Sequence, residues 1–171
     1  LRRIVRPACR SYSFWMGIDF EGQLNNWAAW CASTTLAAVL LLGETEGIRR
    51  HYARQMLMTL ERFAGIYGDD GGCDEGPAYW SRAAATFFDA LTLLHKATGG
   101  ALDVFHDPKV RAMGLYLPKM YIGGNWFVDF ADCAASLTPA ADLVYRYGSA
   151  TGAEEMMDFG AHLARLSPDR A

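Results

Sequence analysis

The longest apolar stretch, Trp27 to Leu42, is hydrophobic on nearly every face of a helix, interrupted only by Ser33, Thr34 and Thr35. Such a pattern predicts a buried helix rather than a surface one. Gly43 stops it. From Glu46 to Ile66 the pattern changes. Ile48, Tyr52, Met56, Leu60 and Phe63 recur with a period of about 3.6, and the charges of Arg49, Arg50, Arg54, Glu61 and Arg62 fall largely outside that stripe. This predicts an amphipathic helix. Tyr67 to Pro77 is a break set by Gly68, Gly71, Gly72, Gly76 and Pro77. A further helix is predicted over Ala78 to Thr98, with Trp80, Ala84, Phe87, Leu91 and Leu94 as its buried stripe and Gly99-Gly100 ending it.

Asp107-Pro108 is a cap followed by proline at the first helical position, and the helix it opens runs to about Tyr121. Asn125 to Phe130 is the one extended stretch. Thr138-Pro139 reads as a second cap-and-proline start. Thr151-Gly152-Ala153-Glu154 has the spacing of a capping box and opens a last helix with Met156, Phe159, Leu163 and Leu166 on one stripe. At the other end, Leu1 to Ser13 reads as a short helix around Pro7, and Phe14 to Asn26 as a loop. Short connections make the helices pack as antiparallel pairs. No fixed-period repeat is present. The expected fold is all-α: successive αα hairpins forming part of a larger bundle or toroid, with one short extended segment near 125–130.

Composition narrows this picture. The 171 residues, 51% of them hydrophobic, suit one domain with a substantial core and exclude a disordered tail. A net charge of −3 excludes a generally basic nucleic-acid binder. The apolar run at Trp27 is too short and too polar for a membrane span. Cys9, Cys31, Cys73 and Cys133 lack the close spacing of a zinc or redox site and are expected to be free thiols. The chain starts at Leu1 without a signal peptide and stops just after a helical pattern, so it is expected to be a piece of a longer protein.

Two segments are richer in chemistry than connectors need to be. In Asn25-Asn26-Trp27-Ala28-Ala29-Trp30 the asparagines suit a helix cap, yet Trp27 and Trp30 share a helix face and suit the stacking of sugar rings, with the amides as donors and acceptors. In Asp69-Asp70-Gly71-Gly72-Cys73-Asp74-Glu75-Gly76-Pro77-Ala78-Tyr79-Trp80 the acids suit a solvated turn. Tyr79 nevertheless falls at a predicted helix N-terminus, where the positive potential favours a phenolate usable in proton transfer. The acids miss the EF-hand spacing, and Gly71-Gly72 lacks the Lys of a phosphate loop, so no metal or cofactor is expected. His51, His95, His106 and His162 form no ligand pair, and no GxSxG elbow is present. Asn125-Trp126-Phe127 is a third polar-aromatic cluster, with core packing as its first reading.

Asn25-Asn26-Trp27, followed by Asp70-Gly71-Gly72-Cys73-Asp74-Glu75-Gly76-Pro77-Ala78-Tyr79-Trp80 and then by Trp126-Phe127-Val128-Asp129-Phe130-Ala131-Asp132, resembles the heparinase II/III-like proteins over roughly residues 15 to 135. The resemblance implies that residues 1–171 are part of an incomplete (α/α) toroid, followed in the longer protein by a β-rich part. It implies a polysaccharide lyase that cleaves uronic-acid-containing glycans by β-elimination without a cofactor, in a secreted or periplasmic protein whose partner is an acidic polysaccharide. By resemblance, Asn26 meets the substrate carboxylate, Tyr79 is the catalytic base, acid or both, and Glu75 orients Tyr79 or binds sugar hydroxyls. Asn25, Trp27, Trp30, Trp80 and Arg82 would line the cleft. A histidine that characterised members draw from beyond the toroid has no counterpart here, so the piece alone is expected to be inactive.

The chemistry itself is general. The C5 proton of a uronic acid is weakly acidic until hydrogen bonds neutralise its carboxylate, each donor contributing ~3 kcal/mol to the transition state. Two rivals stand beside the lyase: a glycoside hydrolase of the helical-toroid type using Asp70, Asp74 and Glu75, and a non-catalytic glycan-binding helical domain.

Overall fold

The computed structural model describes residues 3, 5–10, 24–43 and 45–166. Residues 11–23, which include most of the predicted loop before Asn26, and the last five residues lie outside these. Within the described residues the chain forms seven α-helices and one small antiparallel sheet: α1 (Val5–Arg10), α2 (Asn26–Leu42), α3 (Glu46–Ile66), α4 (Ala84–Ala97), α5 (Pro108–Lys119), β1 (Tyr121–Gly123), β2 (Trp126–Phe127), α6 (Ala141–Thr151) and α7 (Glu154–Leu166). The fold is all-α with a short extended segment, as the patterning predicts. No described helix is long and apolar enough to cross a membrane.

Local signals explain most helix starts. The Asn25 side chain accepts a hydrogen bond from the Trp27 amide (3.1 Å), Thr45 caps α3 through the Ile48 amide, and Asp107 caps α5 through the Lys109 amide (2.8 Å). α2 packs between α3 and α4, α6 pairs closely with α7, and α5 bridges toward both. Most of each expected stripe is buried: Met56, Leu60 and Phe63 on α3, Phe87, Leu91 and Leu94 on α4, and Met156, Phe159 and Leu163 on α7, whereas Ile48 and Tyr52 are half-buried and Leu166 is exposed.

Several expectations need correction. α2 is not buried on all sides. Ala28, Ala29, Ala32, Leu36 and Val39 are covered, the three alanines letting neighbouring helices approach closely, whereas Trp27, Leu41 and Leu42 are exposed. The predicted helix Ala78–Thr98 is broken. Pro77–Ser81 forms a 3₁₀ turn, Ala83 leaves helical geometry (φ −106°, ψ −92°), and α4 starts at Ala84. Of the predicted extended stretch 125–130 only Trp126 and Phe127 pair, and their partner strand comes from Tyr121–Gly123, at the end of the predicted preceding helix.

Neither Thr-based start survives. Leu137 donates its amide to Asn125 O (2.9 Å), which ties this segment to the hairpin, so α6 begins only after Ala140. Thr151 is the last residue of α6, and its hydroxyl bonds back to Tyr147 O (2.9 Å) instead of capping α7. Gly152 then turns the chain in the left-handed conformation (φ 65°).

Gly71 is the tightest point of the acidic turn. Its φ is +75°, and a Cβ there would lie 2.2 Å from the Ala112 carbonyl carbon and 2.3 Å from the Met113 nitrogen. Backbone cannot move aside as a side chain can. Gly71→Ala is therefore expected to destabilise the fold by about 3 kcal/mol, read as a lower midpoint in chemical denaturation. An unchanged midpoint would mean that this turn does not rest on α5.

Candidate functional site

The first turn of α2 and the segment Glu75–Arg82 face each other across a cleft of about 540 Å³. Asn25, Asn26, Trp27 and Trp30 form one wall. Glu75, Ala78, Tyr79 and Arg82 form the other, and Asp132 closes the rim. Trp27 and Trp30 stack on each other (centroids 5.8 Å apart, planes 24° apart) because they are three residues apart on one helix. The Arg82 guanidinium lies 4.2 Å above the Trp30 ring, a cation–π contact joining the two walls.

A second contact joins them lower down. Asn26, 94% buried, donates from Nδ2 to both carboxylate oxygens of Glu75 at 2.7 Å. The two oxygens of a carboxylate subtend only about 50° at a nitrogen at this range, whereas the two hydrogens of an amide diverge by about 120°. One N–H is therefore shared between both oxygens. The other has no protein partner among the described residues. Glu75 and both asparagines also line a smaller hollow behind the cleft, about 150 Å³, together with Tyr67, Cys73 and Asp74. The Asn26–Glu75 pair is thus the partition between front and back.

Tyr79 is half-buried on the 3₁₀ turn. It is not a first-turn residue of a long helix, since α4 begins only at Ala84, so the helix-dipole route to a phenolate does not hold for it. Its setting is instead the cleft, with Glu75 and Arg82 on the same wall. Three other tyrosines are unsuited to proton transfer. Burial pushes the phenols of Tyr67, Tyr116 and Tyr147 well above the ordinary tyrosine range, so their ionised forms are inaccessible.

Trp80 is corrected from cleft to core. It is 1% exposed, its indole N–H donates to Met113 O (2.9 Å), and its ring packs on Tyr147. Neighbouring residues on a tight turn project to different sides, so Tyr79 in the cleft and Trp80 in the core follow from one another. The other predicted positions, Asn25, Asn26, Trp27, Trp30, Glu75, Tyr79 and Arg82, line one hollow.

The acids of the turn separate by role. Asp70 accepts the Gly72 amide (3.0 Å), a local turn bond, Asp69 is fully exposed 3.8 Å from the Lys109 ammonium, and only Glu75 reaches the cleft. Among the described residues no group of histidines, cysteines and acids is placed to hold a metal ion. None of the four histidines lines the cleft. The four cysteines are free, and burial pushes the Cys73 thiol up.

Asp132 was not among the predicted site residues. It ends the stretch 126–132 that carries part of the resemblance, where no role attaches to it. It is carried to the rim by a turn anchored on the Tyr79 segment: Cys133 Sγ accepts the Ala78 amide (3.2 Å), and Gly76 lies so close that a Cβ would come within 2.5 Å of Cys133 Cβ.

A somewhat larger hollow, about 620 Å³, lies elsewhere, between α6, α7 and residues 137–141. Its walls are mainly apolar. Its two charged residues, Asp142 and Arg146, sit 3.7 Å apart, and Arg146 also meets Asp89. Its carboxylate, Asp142, is engaged with Arg146, and apart from Tyr145 the rest of its lining is mainly apolar, so the smaller polar cleft is the better candidate for chemistry. No protein-family model and no curated protein sequence matches this chain.

Proposed function

We propose that the cleft binds a uronic-acid-containing glycan and that Tyr79 there carries the proton transfers of a β-elimination, making the chain the helical part of a polysaccharide lyase. The observation that carries this reading is the Asn26–Glu75 pair, which fixes a nearly buried amide with one N–H left over, in the same hollow as a half-buried tyrosine and a stacked tryptophan pair. Each part has a task. Trp27, exposed and backed by Trp30, offers an aromatic platform for a sugar face. Arg82 and the second Asn26 N–H, which has no partner among the described residues, attract and neutralise the uronate carboxylate, which lowers the barrier to losing the C5 proton. Tyr79 as phenolate then takes that proton, the C5–H electrons form the C4–C5 double bond as the C4–O bond breaks, and the phenol so formed delivers the proton to the leaving glycosidic oxygen. In this scheme Glu75 is a positioning residue: as an acceptor-only carboxylate it forces the amide to present its NH₂ side.

Elimination leaves an unsaturated uronate that absorbs in the ultraviolet, whereas hydrolysis leaves none. The intact protein incubated with polyuronates is expected to generate that absorbance in step with new reducing ends. New reducing ends without absorbance would replace the lyase by the hydrolase reading. Glycan binding with neither product would leave the non-catalytic binding domain.

A further inference from the structure

We propose, resting on the glycan reading of the cleft, that Asp132 determines specificity there. With Glu75 it makes the hollow select uronate glycans of low charge density over densely sulfated ones.

The charge inventory is lopsided for a site meant for anions. Among the described residues lining the cleft, Arg82 is the one cation, against two carboxylates, Glu75 and Asp132. Arg82 is held in place over Trp30, so its charge is concentrated at the aromatic end of the cleft. A single carboxylate can be met there and by the Asn26 amide. A sulfate added to that same sugar has no further cation to meet it among the described lining residues and would approach Asp132.

Asp132 is placed rather than loosely exposed. The residue before it, Ala131, has φ 50°, the one positive φ on a non-glycine among the described residues. The residue after it, Cys133, accepts the Ala78 amide through its sulfur and donates to Ala134 O, both at 3.2 Å, and its amide closes a turn on Phe130 O (3.1 Å). A turn held at a conformation that alanine disfavours, and pinned to the segment carrying Tyr79, keeps this carboxylate over the hollow. A carboxylate is acceptor-only, so it welcomes sugar hydroxyls and repels sulfate esters. Across a solvent-connected gap a like-charge pair of this kind changes affinity by roughly five-fold, more in dilute buffer than in salt.

The test is calorimetric titration of the protein at low ionic strength with unsulfated oligouronates and with O-sulfated ones of equal length. Wild type is expected to bind the unsulfated form at least about five-fold more tightly. Asp132→Asn, nearly isosteric and exposed, is expected to narrow that preference about five-fold with no change in melting temperature, and Asp132→Glu to restore it. Equal or tighter binding of the sulfated form by wild type, or an unchanged preference in Asp132→Asn, would overturn the proposal while leaving the glycan reading intact. Binding of neither oligosaccharide would overturn both.

Discussion

Replacing Tyr79 by phenylalanine is expected to lower turnover of a polyuronate by the intact protein at least about 100-fold, with glycan affinity changed less than about two-fold. The split follows from what the substitution removes. Phenylalanine keeps the ring, so the wall formed by Ala78, Tyr79 and Arg82 retains its shape. Only the hydroxyl is lost, and with it the group proposed to exchange protons with C5 and the leaving oxygen. None of the histidines lines this hollow, and the other acid–base candidates there are Glu75, engaged with Asn26, and Asp132 at the rim. A general acid–base group is worth on the order of 10²–10⁴ in rate, so its loss cannot be hidden by a small change in binding. Initial rates from ultraviolet absorbance, set against titration of the same variant, separate the two quantities. Wild-type turnover in Tyr79→Phe would remove the proton-transfer role from this residue. A parallel fall in affinity would make it a binding residue instead.

One position further on, the expected effect is on stability. Trp80→Ala should cost about 4 kcal/mol, a large share of the 5–15 kcal/mol that holds a typical domain together. The ring is essentially fully buried, packs on Tyr147 and sits under the 3₁₀ turn that carries Tyr79. Truncation opens a cavity the size of an indole and leaves Met113 O without its 2.9 Å partner. Trp80→Phe retains most of the apolar contact and loses the hydrogen bond, so it should fall between the two. Urea denaturation of the three proteins gives the order directly. If Trp80→Ala were as stable as wild type while glycan affinity fell, Trp80 would face the ligand after all.

These two neighbours also show how far the sequence could be read. The stripes of α3, α4 and α7 were legible because burial on one side of a helix imposes a period the chain cannot hide. The Asn25 and Asp107 caps were legible because a cap is satisfied within two or three residues. What was not legible is long-range. Trp80 follows a plausible helical stripe, but whether its indole turns toward a ligand or toward Met113 depends on a carbonyl 33 residues away. The 3₁₀ break depends in part on Cys133, which takes the Ala78 amide from 55 residues downstream. Asp132 reaches the cleft by that same tie, which its place at the end of the stretch 126–132 does not by itself reveal. Thr138 and Thr151 failed as caps for a related reason. One belongs to a segment held by the hairpin, and the other was already committed to the preceding helix.

The cleft, then, has two banks of unequal tolerance. Trp27 and Asp132 are exposed and can be exchanged with little thermodynamic cost, so preference for one glycan over another is free to drift there. Between Gly76 and Trp80 almost every residue is wedged against Cys133 or rooted beneath Met113, and a change there threatens folding before it reaches recognition. Variation among natural descendants of this protein should accordingly gather on the first bank, while the segment bearing the phenol stays still.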